Sequence, residues 1–137
     1  MSTLTEGSIV GGASDRYAIG LDKLHEVDGR DGEAVVEGLK RISPDFARYV
    51  IEFPFGDIYA RPGLDLRQRE IATIAALTAL GHARPQLEVH VAAGRNVGLT
   101  EEEIVEIIIQ MAVYAGFPAA INGLNAAKAV FDRHSES

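Results

Sequence analysis

The sequence predicts an all-α protein, and three observations carry that prediction. Apolar residues recur at three-to-four spacing in one window after another. No window alternates strictly over a strand's length. Every connection carries helix punctuation, a Ser, Thr or Asp cap, a first-turn proline or a terminal glycine, rather than hairpin signals. The 137 residues fit one domain that buries roughly two-thirds of its unfolded surface, so no disulfide or metal is needed for folding. The helices read as an oligomeric bundle of capped helical hairpins, about six to seven in number.

Residues 1–13 are small, polar and Gly-rich, and they read as a flexible N-terminal arm ahead of a single domain over 14–137. Ser14 can cap a helix whose Tyr17, Leu21, Leu24 and Val27 form one stripe, with Lys23, His25 and Glu26 on a solvated face. Asp28 to Gly32 spells DGRDG, a turn, and a second helix is predicted from Glu33 to about Ile42. Ser43-Pro44 starts a further helix carrying Phe46, Tyr49, Val50 and Phe53, which Pro54 kinks or ends. The stretch 53–63 holds Phe53, Phe55 and Tyr59 and is too rich in apolar bulk for an exposed loop; it reads either as core packing or as an aromatic lid over a pocket.

Asp65 and Gln68 have the spacing of a capping box, so a helix is predicted from Leu66 to a stop near Gly81. From Ile71 to Leu80 every residue is apolar or Thr, which predicts burial in a core or an oligomer interface. Glu70 stands at the mouth of that stretch. A buried carboxylate must be paired or must take up a proton, which suits acid/base work, whereas Arg67 at i−3 offers a plain surface pairing. His82 follows the Gly81 stop, and His90 falls on a helix from Pro85 to about Val97; a lone histidine on a helix face is more often structural than catalytic. Thr100 and Glu103 form a second capping box for a helix over 101–115. Its Ile104, Ile107, Ile108, Met111 and Ala115 make one apolar face, and Val105, Ile109 and Val113 make the opposite side apolar too, which predicts a subunit interface. Gly116 and Pro118 lead into an Ala-rich last helix with Gly123 at its middle, where small residues permit close helix approach.

A formal charge of −7 argues against nucleic-acid and anionic-membrane partners, since phosphate attraction would be reversed. The chain contains no cysteine, which excludes thiolate metal sites, cysteine nucleophiles and dithiol redox chemistry. No apolar run reaches a membrane span and the first residues lack a signal-peptide pattern, so the expected location is the cytoplasm.

From Tyr59 to Phe131 the sequence resembles the carboxymuconolactone decarboxylase family of the alkylhydroperoxidase-like superfamily. The blocks that carry the resemblance are RPGLD, the Glu70 helix, Val89-His90 followed by small residues and NVG, EEI, and QMAVYAGFPAA, in the family's order. It implies an all-α helical-hairpin subunit assembled as a homo-oligomer, commonly a hexamer built as a trimer of dimers. In peroxidase members a Glu precedes a Cys-x-x-Cys pair and a His follows; Glu70 and His90 match that Glu and His, while the cysteine positions fall near His82 and Pro85. Without a thiol, disulfide-linked peroxide reduction is ruled out.

What remains resembles the decarboxylase branch, which removes CO₂ from a carboxylated muconolactone in aromatic catabolism. That reaction needs a donor for the developing dienolate oxygen and an acid for carbon, and it requires no metal or organic cofactor. The resemblance implies His90 as proton donor or oxyanion partner and Glu70 as its orienter or as an acid. Arg67 or Arg95 would grip substrate carboxylates, with His82 as a further catalytic candidate and Tyr59 as a further binding one. The partner is then a small carboxylate or lactone. The alternative is a non-catalytic oligomeric small-molecule binder of the same fold.

Overall fold

The computed structural model describes side chains for residues 15–135, and the arm expected over residues 1–13 lies outside them. The described residues form six helices and no strand. They fall into two compact units, Met1–Gly63 and Leu64–Ser137.

The first unit is built from α1 (Ser2–Lys40), α2 (Pro44–Val50) and a π-helical continuation, Ile51–Tyr59. The predicted DGRDG turn contracts to one residue. Only Gly29 leaves helical geometry, at φ 57° and ψ −131°, and α1 bends there into two legs. Glycine reaches that conformation without the Cβ clash that would hold another residue out of it. His25 and Glu33 clasp the legs together at 2.7 Å across the bend. Leu24, Val27 and Val36 from the two legs are buried, as are Ala47, Ile51 and Phe55.

Pro54 does not end its helix. The chain stays helical to Tyr59 in the wider π register, where loss of one amide donor is tolerated inside a looser hydrogen-bond ladder. Of the aromatics in this segment, Phe55 is buried against Tyr59 with ring centroids 5.1 Å apart, whereas Phe53 is 59% exposed. The segment is therefore partly core, as one of the two sequence readings had it. Arg16 holds it to α1 through a two-pronged bond to Asp57, Nε to Oδ1 at 3.0 Å and Nη2 to Oδ2 at 2.7 Å.

The second unit is a four-helix arrangement of α3 (Leu66–Leu80), α4 (Arg84–Asn96), α5 (Glu101–Ala115) and α6 (Phe117–Ser135). Both capping boxes form. The Asp65 carboxylate accepts from the Gln68 amide at 2.8 Å, and Thr100 Oγ1 accepts from the Glu103 amide at 3.0 Å. Each N-cap contributes roughly 1 kcal/mol and sets where its helix starts. Gly81 closes α3 in the left-handed conformation.

One core holds the unit together, with Ile74, Leu87, Val91, Leu99, Ile104, Ile108 and Val130 at its centre. Burying each such side chain contributes about 1.5–3 kcal/mol. The stripe that α3 turns inward is Glu70, Ile74 and Thr78, one residue per turn. On α5, Ile104 and Ile108 point inward and are fully buried, while Ile109 on the other side is 48% exposed and Val113 76% exposed. No helix among the described residues is long and apolar enough to cross a membrane.

Candidate active site

The rotation of α3 that buries Ile74 also carries Glu70 inward, because the two are one turn apart on the same stripe. Glu70 is fully buried. A charge there costs several kcal/mol unless it is paired and hydrogen-bonded. Its partner arrives from α4, where Leu87 and Val91 are buried and bring the adjoining His90 to the same level. His90 Nδ1 lies 2.9 Å from Glu70 Oε2 and 3.2 Å from Oε1. The imidazole is 19% exposed at its side chain and the carboxylate not at all, so a molecule arriving from solvent reaches the ring and not the acid.

This geometry has a chemical consequence. Both carboxylate oxygens face Nδ1, so in the tautomer that carries its proton there the ring donates to the ionised carboxylate, and Nε2 is the nitrogen turned away from it. A buried carboxylate that holds one ring nitrogen fixes the tautomer and orientation and supports the imidazolium when the ring takes up a second proton.

The other residues singled out from the sequence make contacts of their own. Arg67 does not turn back to Glu70; its Nη2 bonds Glu103 Oε2, which joins the start of α3 to the start of α5. Glu103 is thus both the second half of a capping box, accepting from the Thr100 amide at 2.9 Å, and the partner of Arg67. Its carboxyl is held below the ordinary value, first by the Thr100 backbone hydrogen bond and then by the Arg67 charge, against an opposing desolvation. Nothing in the sequence marks that pairing, since the two residues are 36 positions apart.

Arg95 lies 3.4 Å from Glu101 and stacks over the Phe131 ring at 5.6 Å. His82 is exposed in the short link between α3 and α4. Tyr59 belongs to the first unit, where it packs on Phe55. Among the described residues no group of three His, Asp or Glu side chains is placed to hold a metal ion.

The model of the carboxymuconolactone decarboxylase family matches residues 44–129, more than half of the chain. The chain belongs to that family. Among curated proteins it is 36% identical over 117 residues to 4-carboxymuconolactone decarboxylase of Acinetobacter baylyi, covering 85% of this chain and 87% of that one. It is 33% identical over 102 residues to an uncharacterized 15.0 kDa protein of Paracoccus denitrificans, covering 74% and 76%. It is also 33% identical over 97 residues to nitrosuccinic acid decarboxylase npaB of Metarhizium robertsii, covering 68% and 67%. Glu70 and His90 both lie inside the segment that the family model matches.

Proposed function

We propose that this member of the carboxymuconolactone decarboxylase family is a cofactor-independent decarboxylase of small carboxylated lactones or related enolisable acids, acting in aromatic-compound catabolism. The observation that carries the reading is the buried Glu70 carboxylate bonded to His90, whose ring is the partly exposed member of the pair. Family membership and the names of two relatives, both decarboxylases, support the reaction class. The compounds in those names share a property. A lactone carbonyl and a nitro group each accept the electron pair released when a carbon–carboxylate bond breaks, so the substrate supplies its own electron sink.

As CO₂ leaves, the bonding pair moves through the conjugated system onto oxygen and gives a dienolate. His90 as imidazolium then places Nε2–H at the developing charge and delivers the proton to carbon, while Glu70 keeps the ring oriented and offsets its charge. Complete burial makes Glu70 a positioning residue rather than a group that touches substrate. Arg67 and Arg95 already engage Glu103 and Glu101, and a grip on the substrate carboxylate would use their remaining donors.

The test is steady-state CO₂ release from 4-carboxymuconolactone, with nitrosuccinic acid as a second substrate. Saturable turnover of either supports the reading. Binding of both without CO₂ release would favour the non-catalytic binder of the same fold.

A further inference from the structure

We propose a second activity for the Glu70–His90 pair, resting on the decarboxylase reading: reversible proton exchange and double-bond isomerisation of unsaturated lactones that carry no carboxylate to lose. Loss of CO₂ and delivery of the proton are separate halves of the reaction, and the pair takes part in the second. Its geometry serves both directions of that half. The Nδ1–H bond to Glu70, 2.9 Å from Oε2, is the same whether Nε2 carries a proton or a lone pair, so no rearrangement of the pair is needed between acid and base forms. The acid lies beneath the ring and only the ring is accessible, which leaves a single group to move the proton in and out.

The step balances without any further reactant. Neutral His90 takes a proton from the ring methylene between the lactone carbonyl and the double bond, forming N–H and breaking C–H, and the C–H electron pair delocalises onto the carbonyl oxygen as the dienolate. Return of a proton from Nε2 to the same carbon exchanges hydrogen with solvent. Return to the far end of the dienolate moves the double bond. Nothing is oxidised or reduced.

The probe is α-angelica lactone, a β,γ-unsaturated enol-lactone with no carboxylate, incubated with the full-length protein in D₂O and followed by NMR. The expected result is deuterium at the ring methylene and growth of the α,β-unsaturated isomer about 10²-fold faster than in protein-free buffer, the scale of positioned acid–base assistance. His90→Asn should return the rate to that of buffer. Glu70→Gln should lower the maximal exchange rate with little change in the lactone concentration for half-saturation, a split that a general loosening of the fold would not produce.

CO₂ release from 4-carboxymuconolactone and from nitrosuccinic acid is measured in parallel. Decarboxylation without exchange above buffer overturns this inference and leaves the decarboxylase reading standing. Exchange without decarboxylation supports the proton chemistry and removes the named reaction, and neither activity removes both. Exchange that persists in folded His90→Asn also overturns the inference, because another base would be responsible.

Discussion

His90 Nδ1 and the Glu70 carboxylate meet at 2.9 Å across two helices, with the acid wholly enclosed and the ring at its outer edge. A carboxylate in that position has little contact with water to stabilise it, so its charge and that of the imidazolium depend on one another. Removing either residue should disable the other. Glu70→Gln and His90→Asn are each expected to lose about 10²-fold or more in decarboxylation turnover, the scale of lost acid/base assistance. The double variant should lose little beyond the worse single variant, because residues acting as a unit are not additive. CO₂ release from 4-carboxymuconolactone measures this, with circular dichroism as a check of folding. Folded single variants with wild-type rates would remove the pair from the mechanism.

Glu103 gives a pH dependence of known sign. Its carboxyl is held below the ordinary value of 4.5 by the Thr100 amide and Arg67, so the folded state takes up its proton less readily than the unfolded chain does. The resulting stability is complete above that ordinary value and is lost as pH falls through the lowered one. Glu103→Gln keeps an acceptor for the Thr100 amide and deletes only the charge. Urea midpoints of the two proteins should therefore differ at neutral pH and converge as pH drops below 4.5. A gap that stays constant into acid would mean the charge contributes nothing.

Large apolar side chains crowd one end of the second unit, with Val113 76%, Tyr114 79% and Phe117 73% exposed. Monomers seldom leave such patches open beyond a few hundred Å². A stable homo-oligomer is expected, with hexamer mass from the family resemblance, and light scattering at micromolar concentration reads it. Val113→Asp should shift the distribution toward smaller species. A monodisperse wild type of one subunit mass would contradict the assignment of this face to an interface.

Two glycines of α1 should respond in opposite senses to alanine. A Cβ on Gly20 would lie 2.0 Å from the Ile51 carbonyl oxygen, a backbone atom that cannot step aside, whereas one on Gly38 would meet nothing within 4 Å. Overpacking typically costs about 1–3 kcal/mol, and replacing glycine by alanine in an open helical position gains up to about 1 kcal/mol. Gly20→Ala should thus melt lower than wild type and Gly38→Ala higher. Equal melting temperatures would mean that α1 and the Ile51–Tyr59 segment do not approach so closely in solution.

The sequence by itself determined the features whose causes lie within about one helical turn. Asp65 with Gln68 and Thr100 with Glu103 set two helix starts, and Ser43-Pro44, Gly81 and Gly116 set other boundaries, because a cap bonds to an amide only two or three residues away. The blocks from RPGLD to QMAVYAGFPAA pointed to the family in the same way, and Glu70 and His90 were visible as candidates within them. Pro54 showed the limit of local rules, since they allowed either a kink or a helix end there, and the chain continued in π register to Tyr59.

Only the tertiary structure decided which side chains meet. Local spacing offered Arg67 as a partner for Glu70, one turn away on the same helix. Packing instead gave Glu70 to His90, 20 residues on, and Arg67 to Glu103, 36 residues on. The physical reason lies in how each helix is rotated. Rotation is set by the apolar stripe that must be buried, Ile74 on α3, Leu87 and Val91 on α4, Ile104 and Ile108 on α5. Every polar residue on a helix is carried along with that choice, so its partner depends on the neighbouring helices as well as on its own.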